Sequence, residues 1–378
     1  MGRPERIGIL GGGQLGLMLC EALQQLGVRV SVYDPSPDCP CASRADRFVI
    51  GSFSDHQAIL EFVIDIEILT FEFENISSET LIAIEKTKKI YPSPRILFIS
   101  QDRIREKGYL NSIDIPTARW SEIHTLDDLI SGAETMGVPS VLKTSSMGYD
   151  GRGQIKLSSS EPTYLKECFE GLEGQPGVLE QWVTFTQEFS LIGARDTLGN
   201  LSFWDPFVNY HENHILESTL YPGFLPAKSA QSALSIGRKI MESTNVVGLL
   251  TIEFFLMPDG RVLVNELAPR PHNSGHVTIE ASETSQFKQL ALILTSQPME
   301  SVSVIKPGAM INLLGELWLG SKDEPNWNLA SKIPETFLHL YGKKTAKRGR
   351  KMGHLTSLHR DPNQALTTLR ALRHRLSN

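Results

Sequence analysis

The chain has 378 residues, a formal net charge of -6, and 40% apolar and 21% charged residues, which is too long for one ordinary core and too acidic for a general nucleic-acid binder. No apolar run approaches the roughly 18 residues a membrane span needs, and the sequence enters a strand almost at once, leaving no room for a signal peptide. Of four cysteines only Cys39 and Cys41 are close in sequence, which is neither a zinc pattern nor a disulfide framework, so a cytoplasmic protein of two or three domains with reduced thiols is expected.

Residues 6–10 (RIGIL) read as an apolar strand running into Gly11, Gly13 and Gly16, then a helix to Leu26, and a second strand at 28–33 ending at Asp34. Three glycines at that spacing, with an acid about 20 residues on, satisfy the dinucleotide fingerprint. The physics is more general than NAD, because a glycine turn at a helix N-terminus presents backbone N–H groups to any phosphate or polar ligand. Strands at 48–50 and 66–71 with a helix near 55–64 continue the alternation, so an open parallel sheet is expected, with ligands beyond the carboxyl ends of its strands. Gln14, Glu74 and Asn75 fall at such ends, as ligand contacts or as cap and turn residues.

The pattern breaks at Tyr91-Pro92-Ser93-Pro94, where a domain boundary is expected. A following helix places Arg103 and Lys107 on one face, and a strand at 138–143 ends in Lys143. Between it and a strand at 154–157 lies Gly148-Tyr149-Asp150-Gly151-Arg152-Gly153-Gln154, which reads as a plain hairpin loop or as a lid whose amides fold over phosphates, with Arg152 adding a cation. A strand at 177–183 carries Glu180, Gln181, Trp182 and Val183, which suit either a purine wall or core packing; Glu188 suits ribose hydroxyls. The run from Asn209 to His214 is a polar cluster, His211 a candidate for the site and His214 for a solvent-exposed turn. A helix at 227–242 leads into the most informative stretch.

Thr251 to His276 reads as two apolar strands around Pro258-Asp259-Gly260, a strong hairpin signal. A two-residue loop at Asp259–Gly260 and a symmetric four-residue loop from Pro258 to Arg261 both place Glu253 opposite Glu266. Phe255 and Val264 then share their face, while strict alternation turns Asn265 away. Two like charges so opposed destabilise a sheet, unless they hold a cation; hard oxygen ligands point to Mg²⁺, which favours one or two carboxylates plus nucleotide phosphates. Arg270, His272 and Asn273 follow in a segment too polar for a core and suited to handling anions beside a metal. Beyond it the sequence gives a helix at 280–296, a boundary near Pro298, strands at 309–314 and 337–341, a basic run from Lys343 through His354 that is a solvated loop or a phosphate grip, and a final helix at 362–376.

Taken together, GILGGGQLG, FEFEN, QDR with Lys107, GYDGRGQ, NELAPRPHNSGH, MINLLGE and GRKMGH resemble the N5-carboxyaminoimidazole ribonucleotide synthetase family of ATP-grasp carboxylases, in order along nearly the whole chain. The resemblance implies an ATP-grasp fold, α/β plus α+β, with an N-terminal open parallel α/β domain (1–97), a central ATP-grasp domain (98–298) and a small C-terminal domain (299–378). It implies ATP, Mg²⁺ (two ions), bicarbonate as co-substrate, 5-aminoimidazole ribonucleotide as acceptor, and a homodimer. By position, Arg103, Lys107, Lys143, Gly148 to Gln154, Glu180 to Val183, Glu188, His211, Asn265 and Glu266 would contact ATP, and Glu253 and Glu266 would hold the metal. Lys343 and Arg350 would take the substrate 5′-phosphate, with Gln14, Glu74 and Asn75 also on the substrate side. Lys143, Arg152, Arg270, His272 and Asn273 would surround the reacting centre, His272 handling a proton. Leu17 and Lys347-Arg348 depart from the family's usual Arg and Arg-Pro, the second removing a rigid proline before Gly349.

Two other enzymatic readings and one non-enzymatic one remain open from sequence. A related ATP-grasp ligase would use the same parts on another acceptor. An NAD oxidoreductase would use the glycine fingerprint with Asp34 but leaves the acidic hairpin unexplained. A nucleotide-binding regulator would bind MgATP without turnover.

Overall fold

The computed structural model describes residues 4–146, 148, 153–319 and 324–376. The apolar run Arg6–Leu10 is buried on both faces, as a central parallel strand must be. It lies between Arg29–Asp34 and Ile68–Phe71, with Arg47–Ile50 and Lys89–Ile90 at the edges, all parallel. The chain winds to one side through the second and third strands and then jumps back to the fourth. The strand order therefore reverses between Leu10 and Phe71, where a doubly wound sheet opens a crevice.

At the expected boundary, Pro94 occupies the first turn of a helix, Pro94–Ser100, where its missing N–H costs nothing. A second helix, Arg103–Ser112, is capped by the Asp102 side chain on the Arg105 N–H. Then comes a four-stranded antiparallel sheet in the order Trp120–Ile123, Gly177–Gln181, Ser140–Thr144, Gln154–Leu157. Its helix Leu126–Met136 carries a full capping box between Thr125 and Asp128.

Among the described residues the largest sheet has nine antiparallel strands, one of which, Leu201–Phe203, pairs only with Gln187–Arg195 off the main path. Val262–Ala268 forms one edge, followed by Gly248–Leu256, Gln187–Arg195, Phe207–Glu212 and Ile215–Tyr221. Ser218 then pairs with Ile311, so Gly308–Leu314, Lys351–Leu358 and Thr336–Leu340 continue the same sheet. The strand at Lys351 begins inside the basic run that reads as a loop in sequence. The helix expected at 280–296 is broken into Thr278–Ala281 and Gln286–Leu294, because the Ser285 side chain accepts the Lys288 N–H and starts a new helix. The last helix, Pro362–Leu376, buries Leu366, Leu369, Leu372 and Leu376 against the sheet at helical spacing. Among the described residues no helix is long and apolar enough to cross a membrane.

Candidate active site

The two antiparallel sheets and the crevice of the parallel sheet enclose one cavity of about 660 Å³, a size that suits a nucleotide-scale ligand. Lys143 and Gln154 enter from the four-stranded sheet, Glu188, Glu253 and Glu266 from the nine-stranded sheet, and Gln14, Glu74 and Asn75 from the parallel sheet.

Glu253 does stand opposite Glu266, but the path to that pairing differs from the one the sequence suggests. The loop has three residues, closed by the Met257 N–H on the Arg261 carbonyl (2.8 Å), with Gly260 at φ +85°. That alone would shift the register by one, and indeed Phe254 pairs with Val264 and Phe255 with Leu263. A β-bulge between these pairs and Glu253 takes up Asn265 as the extra residue and restores Glu253 to Glu266. Two corrections follow: Leu263, not Val264, shares the face of Phe255, and the bulge lets Asn265 and Glu266 both line the cavity. The bulge is held from outside, since the Val264 N–H donates to the Pro116 carbonyl (2.8 Å) and Val264 bridges to Thr117.

Burial alone would raise the Glu253 carboxyl, but the His272 hydrogen bond (Nε2 to Oε1, 3.1 Å) and the charges of His211 and Arg270 outweigh it and hold Glu253 below the ordinary carboxylate range. Glu266 goes the other way, raised first by burial and then by the Glu253 charge. Behind it Glu106, buried and also raised, accepts the Leu267 N–H at 2.7 Å. Two opposed carboxylates at a cavity wall, one of them reluctant to ionise beside the other, make a donor set that fits a hard divalent ion.

The cations around this pair come from separate elements. Arg103 donates to the carbonyls of Thr144 (3.0 Å) and Gly148 (3.1 Å), gripping the entry of the glycine-rich loop. Arg270 Nε lies 3.0 Å from Glu74 Oε1, joining the parallel sheet's loop to the polar segment after the hairpin. Asn273, buried, also lines the cavity. His211 pairs with Glu188; burial would lower its pKa, but the Glu188 hydrogen bond and charge raise it. His214 is in a turn, as expected, with φ +64°, yet it also lines the cavity and meets Gln154 Nε2 at 3.0 Å.

Several of the expected residues are not on the lining of this cavity. Lys107 is fully buried and, with Lys143, takes up Glu180 at 3.2 and 3.0 Å, so the Glu180 carboxylate is neutralised by two lysines and held down to about 2 despite its burial. Lys143 lines the cavity, whereas Lys107 and Glu180 stand behind its wall. Gln181, Trp182 and Val183 are not in that wall either; the Lys156 ammonium sits 4.0 Å over the Trp182 ring. Gly153 packs on Thr144 with φ +68°. Lys343 donates to Gln14 Oε1 (2.8 Å) from behind the wall, and Arg350 turns to the Thr345 carbonyl (2.6 Å), while Lys351 reaches the cavity. Tyr149, Asp150, Gly151 and Arg152 lie outside the described residues, and so does the lid they were expected to form.

Sequence reasoning missed Glu72, and it changes the meaning of the glycine fingerprint. Its carboxylate accepts the N–H groups of Gly13 (2.5 Å) and Gly16 (2.7 Å), while Asp34 takes those of Gly12 (2.7 Å) and Ser36 (2.7 Å). The amides that would cradle a dinucleotide phosphate are thus filled by the chain's own acids, and the NAD reading loses its binding site. Glycine is needed at 11 and 13 because a Cβ there would come within 2.4 and 2.3 Å of Glu72. The FEFEN run places Glu72 directly after a strand, but only its packing against residues 59 positions away shows which of its two acids turns inward.

Three family models match the chain in order: a ribonucleotide synthetase preATP-grasp domain over residues 5–101, an ATP-grasp domain over 109–287 and a phosphoribosylaminoimidazole carboxylase C-terminal domain over 308–368. The N5-carboxyaminoimidazole ribonucleotide synthase of Bacillus subtilis is 37% identical over 350 residues, covering 93% of this chain and 90% of that one. The enzyme of that name from Brucella melitensis is 36% identical, covering 93% and 96%. Among solved structures, N5-carboxyaminoimidazole synthetase from Staphylococcus aureus with ADP superposes with a TM-score of 0.91 at 35% identity, covering 99% and 98% of the two chains. The Aspergillus clavatus synthase with ADP and 5-aminoimidazole ribonucleotide gives a TM-score of 0.89 at 28% identity, with coverage of 99% and 98%.

Proposed function

The chain belongs to the N5-carboxyaminoimidazole ribonucleotide synthase family, and from that membership we propose how its cavity works. It is an ATP-grasp ligase that carboxylates 5-aminoimidazole ribonucleotide to N5-carboxyaminoimidazole ribonucleotide at the expense of ATP, in purine biosynthesis. The carboxyl source is bicarbonate, whose negative charge makes it a poor electrophile for an amine. A bicarbonate oxygen attacks the γ-phosphorus of ATP, ADP leaves, and the resulting carboxyphosphate carries a good leaving group. The exocyclic amine then bonds to the carboxyl carbon as inorganic phosphate departs, and the proton the amine sheds has an acceptor in that phosphate.

Glu253 and Glu266 would hold Mg²⁺, whose charge would offset that of the β- and γ-phosphates. Lys143, Arg103 and Arg270 supply fixed cations around the transferring phosphoryl group, and Arg152 is assigned to the same task. Gln14, Glu74, Asn75 and the Lys343–Lys351 region receive the ribonucleotide, which places its amine across the cavity from the phosphates. Glu188 and Asn265 face ATP, and the enzyme acts as a cytoplasmic homodimer.

The observation that carries this reading is the bulged hairpin, which turns two facing acids into one cavity wall. ADP release is measured with ATP, bicarbonate or ribonucleotide omitted in turn, in wild type and Glu266→Gln. All three should be required, and the variant should lose at least about 100-fold in turnover while keeping its melting temperature. ADP formation indifferent to bicarbonate and ribonucleotide, or a fully active Glu266→Gln, would overturn it.

A further inference from the structure

His272 meets Glu253 through Nε2 at 3.1 Å, and its other nitrogen leads into the protein. Nδ1 lies 2.8 Å from Ser274 Oγ and accepts the Ser274 backbone N–H at 3.3 Å. Ser274 Oγ is 2.7 Å from Ser190 Oγ, Asn209 Nδ2 donates to Ser190 Oγ at 3.1 Å, and Thr219 Oγ1 donates to Asn209 Oδ1 at 3.0 Å. All four residues are buried, Ser190, Ser274 and Thr219 completely. The path crosses three neighbouring strands, and Ser190 is the register partner of Glu253 itself.

The Asn209 amide nitrogen can only donate, so Ser190 Oγ accepts from it, and the Ser274 backbone N–H makes His272 Nδ1 an acceptor. With Ser190 donating to Ser274 and Ser274 to His272 Nδ1, every hydroxyl hydrogen along the path has an acceptor. A ring nitrogen that accepts from both a hydroxyl and an amide bears no proton, so in the neutral imidazole the hydrogen sits on Nε2 and points at the acceptor-only carboxylate of Glu253.

We propose that Thr219, Asn209, Ser190 and Ser274 form a one-way donor chain that fixes the tautomer and orientation of His272 against Glu253. They are positioning residues for the carboxylate that holds the metal, and the inference rests on the reading of Glu253 and Glu266 as metal-holding acids. In this arrangement both nitrogens of His272 are engaged, so its task is to steer the carboxylate rather than to take a proton from substrate. Asn209 is the switch of the chain: without the Thr219 hydroxyl its amide is free to turn over, present Oδ1 to Ser190, and draw the Ser190 hydrogen away from Ser274. Outer-shell partners of metal-binding groups commonly matter about 10–100-fold in affinity or activity.

The test uses Ser274→Ala, Thr219→Val and Thr219→Ser in the full-length enzyme, with nitrogen-resolved NMR of ¹⁵N-histidine-labelled protein, calorimetry of ADP binding across Mg²⁺ concentrations, and steady-state kinetics. In wild type and Thr219→Ser, His272 should carry its hydrogen on Nε2 alone. In Thr219→Val and Ser274→Ala the two tautomers should mix, Mg²⁺-dependent ADP affinity and kcat should fall by about tenfold, and KM for the ribonucleotide should stay put. If Ser274→Ala fails to fold, the Thr219 pair still decides the matter. A folded Thr219→Val with the wild-type His272 tautomer and unchanged Mg²⁺-dependent ADP affinity would overturn the proposal. So would a Thr219→Ser that behaves like Thr219→Val. Failure of the carboxylase reading would show instead in wild type, as ADP release that ignores bicarbonate, and would leave the tautomer result intact.

Discussion

Lys343 is a cation in a place that works against its charge. Burial, then Arg350 and Lys351, lower its pKa to about 8, against the pull of Glu72. Its Nζ donates to Gln14 Oε1 and to the Lys351 carbonyl at 2.6 Å, so it backs the wall on which the ribonucleotide is proposed to rest. Because the folded value is depressed, the ammonium is charged below about 8 and neutral above it. If it serves the 5′-phosphate, kcat/KM for the ribonucleotide should decline as the pH rises past that point. Profiles from about pH 6.5 to 9.5 at saturating ATP would show the limb, and Lys343→Arg, which stays charged, should remove it. A wild-type profile flat across this range would mean that Lys343 does not carry the substrate's charge.

At the scale of one element, the hairpin shows what one extra residue does. Inserting one alanine between Val264 and Asn265 gives the bulge a different extra residue and should slip Glu266 one position past Glu253 onto the buried face, so Mg²⁺-dependent ADP binding should vanish in calorimetry. Asn265→Ala keeps the backbone count and should retain that binding with an affinity loss of about tenfold or less. Equal behaviour of the two variants would show that the bulge is immaterial. The hairpin and its two acids were legible in the sequence, but the register read from the loop was off by one residue. The bulge that makes up the difference was not legible, since its anchor is the Pro116 carbonyl, brought in from a distant segment. The same holds for Glu180, whose partners Lys107 and Lys143 sit on two other elements, and for Ser190 and Ser274, 84 positions apart. Periodicity located nearly every strand that frames the cavity. Which side chains neutralise each other across strands depends on packing that no local pattern encodes. The glycine turn was read correctly as a turn and wrongly as vacant, because its occupant arrives from the next strand but two.

Across the whole molecule, the nine-stranded sheet makes the C-terminal segment part of the catalytic framework. Its last helix is tied down by Glu217, nearly buried on the strand Ile215–Tyr221, which meets Arg370 and Arg373 at 2.7 Å each. Burial would raise Glu217, but the Arg370 hydrogen bond and the two guanidinium charges outweigh it and hold it below the ordinary value of 4.5. A depressed carboxylate stabilises the fold fully above its unfolded value and loses that contribution as the pH falls through the folded one. Glu217→Gln should therefore cost about 2 kcal/mol near neutrality, and thermal melts should show the gap from wild type closing below about pH 4.5. A gap that widened in acid would refute this assignment.

The glycine turn plugged by Glu72 has a consequence for stoichiometry. With Gly13 and Gly16 already donating to an internal carboxylate, the crevice of the parallel sheet offers an incoming molecule side chains such as Gln14, Glu74 and Asn75 in place of backbone amides, so MgADP titrated into the protein should saturate at one equivalent per chain.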